Sequence, residues 1–207
     1  MSAAAHRLRG IYALVDASAP DPVRLTHAVL EGGVRIVQYR AKAGIDPQDA
    51  RAMRDLTHQY DALFILNDDW RGVERFDADG AHLGPDDAPQ SEVPMIRERL
   101  RGRILGLSCG TESEARTAER LRADYLGVGC IFRTTSKADA GEPIGIEGLR
   151  RVAAASALPI AAIGGINSAN IGQIAACGVA MAAVLSAFST SANPGAVAQE
   201  LVARWPK

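Results

Sequence analysis

Two carboxylates, two cations and an amide recur in this chain at places that suit a polyanion held with a hard metal ion. The first segment is Gln38-Tyr39-Arg40-Ala41-Lys42. In extended backbone alternate side chains share a face, so Gln38, Arg40 and Lys42 point the same way. An arginine fork clamps phosphate oxygens, a lysine adds a point charge, and a glutamine amide reads a heterocycle or an oxygen. Taken alone, the segment is equally a solvated basic strand end. Asn67-Asp68-Asp69 and Gly84-Pro85-Asp86-Asp87 each follow a further apolar run. Magnesium takes few protein oxygens, keeps waters and is completed by substrate phosphates, so one aspartate per segment suffices. Asp69 and Asp86 are read as caps of the following helices or turns. That leaves Asp68 and Asp87 as the expected Mg2+ ligands, although spacing alone does not choose within either pair.

Three further segments offer chemistry. His82 stands in a short run whose neighbours Ala81 and Leu83 face the other side, so it either lines a site or packs as a hydrogen-bonded core histidine. Ser108-Cys109-Gly110-Thr111 follows a fifth run, and the stretch from Gly129 to Gly145 is the longest without a helix or strand pattern. In that stretch Thr134, Thr135 and Ser136 can donate to phosphate oxygens, and Lys137 can neutralise a departing diphosphate. Loops of this length in a compact domain are usually functional, whereas a flexible polar loop is the plain alternative. Gly164-Gly165-Ile166-Asn167 and Leu185-Ser186-Ala187 follow the last two runs. Glycine lets backbone N–H groups approach an anion, and a short helix start favours it. The pattern implies two anion sites on one rim, and hence an enzyme that joins two phosphorylated small molecules.

Residues so far apart in sequence need a scaffold that brings strand ends together. Eight short apolar runs recur, beginning at Ile11, Val34, Leu63, Ala81, Ile104, Tyr125, Ile160 and Ala182. Each is followed by polar or Gly-rich residues and then a helix-period segment, which is the βα alternation of a parallel sheet. Asp46-Pro47 and Asn193-Pro194 read as helix starts, Thr111 with Glu114 as a capping box, and Gly178 as a helix stop. Eight βα units in one short chain close as a (βα)8 TIM barrel with trimmed loops, whose chemistry sits at the C-terminal strand ends. An open doubly wound sheet is the competing topology.

At 207 residues with 47% hydrophobic side chains, the chain has material for one core, so 1–207 is expected to be a single domain with 1–9 as an N-terminal extension. A net charge of −1 with interspersed signs argues against a nucleic-acid or membrane partner. No apolar stretch has membrane-spanning length, and Cys109, Cys130 and Cys177 share no metal-ligand spacing. Free thiols in a cytosolic protein are the expectation.

The segments Gln38-x-Arg40-x-Lys42, Asn67-Asp68-Asp69, His82-x-Gly84-x-x-Asp87, Ser108, Thr134-x-Ser136-Lys137, Gly164-Gly165-Ile166 and Leu185-Ser186 together resemble the thiamine phosphate synthase family over about residues 10 to 205. The family is a TIM barrel that joins a pyrimidine methyl diphosphate to a thiazole ethyl phosphate, releasing diphosphate. The resemblance implies that Gln38, Arg40, Lys42, Asn67, Ser108 and Lys137 contact the pyrimidine diphosphate, with Asp68 and Asp87 on magnesium. Thr134, Thr135, Ser136, Gly165, Leu185 and Ser186 would hold the thiazole phosphate, and Tyr39, Ala41, His82 and Gly164 join the substrate-binding set. Arg40, Lys42, Ser108 and Lys137 would carry catalysis by a dissociative route. A homodimer is a further expectation of the resemblance.

Some positions depart from the family pattern. Pro85 stands where glutamine is usual, Cys130 and Arg133 replace prolines, Cys109-Gly110 replaces Ala-His, and Ala180-Met181 replaces Asp-Gly. None removes an expected metal ligand or diphosphate cation. Two rivals are a thiazole tautomerase branch of the superfamily, which relies on a histidine after the fifth strand, and a non-catalytic thiamine phosphate binding protein. Gly110 in place of that histidine disfavours the first, and joint retention of Arg40, Asp68, Asp87 and Lys137 disfavours the second.

Overall fold

A computed structural model describes residues 4–134, 136 and 141–206. Eight strands alternate with helices: β1 (Gly10–Asp16), α1 (Pro22–Glu31), β2 (Ile36–Arg40), α2 (Pro47–Gln59), β3 (Leu63–Asn67), α3 (Gly72–Arg75), β4 (Gly80–Leu83) and α4 (Val93–Arg99) form the first half. The second half is β5 (Ile104–Cys109), α5 (Glu112–Arg120), β6 (Tyr125–Val128), α6 (Gly145–Ala154), β7 (Ile160–Ile163), α7 (Ile171–Ala175), β8 (Met181–Val184), α8 (Ser186–Ser189) and α9 (Pro194–Arg204). The strands are parallel, pair in chain order, and close through β8 against β1, which excludes the open sheet.

Alternation along each strand sorts the side chains into two cores. Tyr12, Leu14, Ile36, Leu63, Ile65, Ile104, Tyr125, Ala161, Met181 and Ala183 fill the barrel interior. Residues of opposite parity, such as Val37, Tyr39, Phe64, Leu66, Leu105 and Leu126, pack beneath the helices. Fully burying a side chain such as Phe64 contributes roughly 2–3 kcal/mol, so this outer layer drives closure. Ala5 and Leu8, placed by sequence in an extension, are buried against the interior set and close the N-terminal end of the barrel.

The expected caps form. Asp46 accepts from the N–H groups of Gln48 and Asp49, Asn193 from Ala196, and Thr111 with Glu114 completes a reciprocal capping box. Gly178 has φ +70° past the end of α7, as a helix stop requires. Several strand boundaries shift by one to three residues from the apolar runs, and two of the shifts have a visible cause. The second strand starts at Ile36 because the Val34 N–H turns back to the Val29 carbonyl at the exit of α1. The eighth ends at Val184, since Leu185 adopts φ −122°, ψ −71° and starts α8.

At the N-terminal end of the barrel, Asp124 is fully buried. Its carboxylate accepts from Arg97 Nη1 at 2.7 Å and from the Leu105 N–H at 2.9 Å. Arg97 also donates to the carbonyls of Leu100 and Arg103, which ties α4 to β5 and leaves the opposite end of the barrel for chemistry.

Candidate active site at the C-terminal strand ends

A cavity of about 570 Å³ opens at the C-terminal ends of the strands. Its floor is a hydrogen-bonded row across the barrel. Gln38 Nε2 donates to Tyr12 Oη at 2.7 Å, and Tyr12 Oη lies 2.8 Å from Tyr125 Oη. Tyr125 Oη is 3.0 Å from His82 Nδ1, and His82 Nε2 is 3.0 Å from Ser108 Oγ. Burial raises both tyrosine pKa values far above the ordinary phenol range. The phenols therefore stay protonated. Glycines create the space: a Cβ at Gly106 would stand 2.2 Å from Tyr125 Cζ, and one at Gly127 would stand 2.7 Å from His82 Cε1.

Above Gln38 the rim is charged. Arg40 pairs with Asp16, its register partner on β1. Burial works against the Asp16 carboxylate, but donation from Ser18 and then Arg40 outweighs it and holds the pKa below the usual value. Lys42 lies just beyond β2, in a turn rather than in extended backbone, and its Nζ meets Asp68 at 2.5 Å and Asp87 at 3.9 Å. Asp68 has φ +66°, a left-handed backbone that aspartate tolerates better than most residues and that clusters at functional sites. Its N–H donates to the His82 carbonyl at 2.9 Å. Asp87 Oδ2 accepts the Gly84 N–H at 2.7 Å, which folds the β4 loop onto the rim.

The carboxyl groups of Asp68 and Asp87 lie close enough to perturb one another. Burial, and then the Asp87 carboxylate, push the Asp68 pKa up, while the Asp68 hydrogen bond helps draw that of Asp87 down against burial. Two carboxylates this close form an oxygen donor set suited to a hard cation. Among the described residues no cluster of three or more His, Cys, Asp or Glu has metal-binding geometry, so a cation here would depend on substrate oxygens and water for its other ligands. The neighbouring aspartates behave differently. Asp69 accepts from the Gly72 N–H at the start of α3, as a cap does, and Asp86 is exposed.

The opposite rim is built from Thr134, Ser136, Gly164, Gly165, Leu185 and Ser186. Gly164 and Gly165 have φ +105° and +66°, and a Cβ on either would strike the long loop, at Cys130 Cβ (2.5 Å) or the Arg133 carbonyl (2.6 Å). The glycine pair thus seats the β6 loop as well as opening the rim, a role the sequence pattern did not suggest. Ile131 and Phe132 donate their N–H groups to the Ile163 and Gly164 carbonyls and fix that seat.

Of the expected site residues, Gln38, Arg40, Lys42, Asn67, Asp68, His82, Asp87, Ser108, Thr134, Ser136, Gly164, Gly165, Leu185 and Ser186 all line this cavity. Tyr39 and Ala41 do not. They have the opposite parity on β2, so Tyr39 is fully buried under α2 and Ala41 packs against the same outer core. Thr135 and Lys137 lie outside the described residues. Sequence reading missed Tyr12 and Tyr125, although inward parity and the need of a buried phenol for a partner could have found them. It also treated Glu114 only as a cap. Its carboxylate lines the cavity while accepting from the N–H groups of Gly110 and Thr111.

Comparison with known proteins agrees with this geometry. A family model described as thiamine monophosphate synthase matches residues 11–188. The thiamine-phosphate synthase of Caldivirga maquilingensis is 40% identical over 202 residues, covering 95% of this chain and 97% of its own. That of Archaeoglobus fulgidus is 44% identical over 181 residues, covering 86% and 84%. Among solved structures, thiamine phosphate pyrophosphorylase from Pyrococcus furiosus superposes with a TM-score of 0.86 at 34% identity over 95% of each chain. A 3-hexulose-6-phosphate synthase from Salmonella typhimurium, at 16% identity and a TM-score of 0.75, shares the fold alone. With the closed barrel, the cavity and a family match from the first strand to α8, the chain belongs to the thiamine monophosphate synthase family.

Proposed function

We propose that the cavity transfers a 4-amino-2-methylpyrimidin-5-ylmethyl group from its diphosphate to 4-methyl-5-(2-phosphoethyl)thiazole, giving thiamine phosphate and diphosphate. The observation that carries the reading is the placement of a cation-and-carboxylate rim above a hydrogen-bonding floor, with a second small-residue and hydroxyl rim opposite. A ring tethered to diphosphate by one methylene can then reach the floor while its phosphates meet Arg40 and Lys42.

The oxygens of Asp68 and Asp87 fit Mg2+, which when bound supplies positive charge to a leaving diphosphate. Arg40, held by Asp16, presents its guanidinium to phosphate oxygens without reorganising. Lys42 adds a point charge, and by the sequence pattern Lys137 does the same from the long loop. Gln38, Asn67 and Ser108 orient the pyrimidine, whose amino group lets the methylene bear positive charge as the C–O bond to diphosphate breaks. Thr134, Ser136, Gly165 and Ser186 hold the thiazole phosphate so that the ring nitrogen donates its electron pair to that carbon. No protein nucleophile is needed. Cys109, in the cavity wall, has its pKa pushed to about 12 by burial and then by Glu114, and stays a thiol at neutral pH.

The described residues contain no helix long and apolar enough to cross a membrane. A cytosolic setting and a homodimer belong to the proposal through the family resemblance. Diphosphate release tests the reading. It is expected only when both phosphorylated substrates and magnesium are supplied with the purified protein, and no release above a no-enzyme control overturns it.

A further inference from the structure

The row of hydrogen bonds on the cavity floor has a direction. The Gln38 amide nitrogen has only protons to give, so Tyr12 Oη accepts from it at 2.7 Å. Tyr12 has one hydroxyl proton of its own and, besides Gln38, one neighbour in reach, Tyr125 Oη at 2.8 Å. That bond therefore runs from Tyr12 to Tyr125. Tyr125 still has its own proton to place, and His82 Nδ1 at 3.0 Å is the acceptor in reach for it. A neutral imidazole that accepts at Nδ1 carries its hydrogen on Nε2, and Nε2 lies 3.0 Å from Ser108 Oγ. Ser108 accepts from His82, and its own hydrogen is left for the cavity it lines. Both phenols are almost fully buried, so bulk water does not compete for these positions.

We propose that Tyr12, Tyr125 and His82 are positioning residues that pass the donor orientation of the Gln38 amide across the barrel and so fix Ser108 as a hydrogen-bond donor towards the substrate ring. The ring would then be selected for an acceptor, such as a lone-pair nitrogen, opposite Ser108. The glycines beneath make the relay possible, since a Cβ at Gly106 or Gly127 would displace Tyr125 or His82. This deepens the proposed function, because the donor faces the place assigned to the pyrimidine. The relay itself exists without turnover, so its test is independent of that reading.

The test is the tautomer of His82 by nitrogen-15 NMR of the histidine-labelled protein, taken about two units above the ordinary imidazole pKa of ~6.5. The wild-type protein is expected to carry the hydrogen on Nε2. Gln38→Glu places an acceptor at the head of the row, with Arg40 two residues along the same face to keep the carboxylate ionised. Tyr12 then donates backwards, Tyr125 donates to Tyr12, and His82 must donate to Tyr125 from Nδ1. The expected result is a switch from Nε2–H to Nδ1–H at a residue three links away, which a purely structural role for the tyrosines would not produce. A folded Gln38→Glu protein that keeps Nε2–H overturns the proposal, as does Nδ1–H in the wild type. If the variant does not fold, neutron diffraction from wild-type crystals decides. Deuterium on Nε2 and between Tyr125 Oη and Nδ1, bound to oxygen, supports the relay, and deuterium on Nδ1 overturns it.

Discussion

Asp87→Asn separates the charge of this residue from its structural hydrogen bond. Asp87 Oδ2 accepts the Gly84 N–H at 2.7 Å, and an asparagine carbonyl can accept it equally well. The β4 loop should keep its shape, and thermal unfolding should stay within about 2 °C of wild type. The charge is lost. The Lys42–Asp87 contact at 3.9 Å has a half-exposed lysine and adds under about 1 kcal/mol to the unliganded fold, so its loss barely moves stability. Loss of one of two carboxylate ligands to a bound divalent cation costs about 3 kcal/mol of leaving-group stabilisation, or about 100-fold in rate. The assay is kcat/KM for diphosphate release across a magnesium titration. A fall near 100-fold with a rightward magnesium dependence is expected. Magnesium dependence and kcat/KM within threefold of wild type would refute the assignment of Asp87.

Other perturbations probe the scaffold. Gly127→Ala sets a methyl 2.7 Å from His82 Cε1 and should cost about 1–3 kcal/mol by overpacking, with at least a tenfold fall in kcat/KM for the pyrimidine substrate; denaturant unfolding and kinetics on one preparation check both. Arg97→Leu removes the guanidinium that pairs with the buried Asp124 and should lower stability by about 3 kcal/mol while KM for both substrates stays within twofold, since the pair lies at the far end of the barrel. Asp77 is held below its ordinary pKa of 3.8 by Arg103 and then Arg54. A depressed folded pKa contributes stability that is present above 3.8 and lost as pH falls through the lower folded value. Asp77→Asn should therefore be less stable than wild type at pH 7, by less than about 1 kcal/mol for so exposed a group, and the gap should close as pH falls below 3.8. A gap that widens on acidification would contradict the pairing.

Much of the barrel was legible because each strand carries its own signal: an apolar run, a polar loop and a cap such as Asp46 or Asn193. Spacing did not choose within either aspartate pair; in the structure Asp69 accepts the Gly72 N–H ahead of α3, while Asp68 lines the cavity. The side chains of Tyr39 and Ala41 do not line the cavity, because alternation along β2 and its exit turns them to the outer core, a distinction that reading the segment as one block hides. The floor was harder to see. Tyr12 and Tyr125 come from β1 and β6, lie 113 residues apart in sequence, and meet only because the closed barrel brings their hydroxyls together. The glycine pair at 164 and 165 signals an anion cup in sequence, but its contacts with Cys130 and Arg133 depend on the path of another loop.

In a crystal structure with thiamine phosphate and diphosphate bound, the pyrimidine ring is expected on the floor between Gln38 and Ser108, diphosphate against Arg40 and Lys42, and the product phosphate against Gly165 and Ser186. Product bound outside the barrel mouth, or with its phosphate on Arg40 and its pyrimidine away from Ser108, would contradict the proposed function.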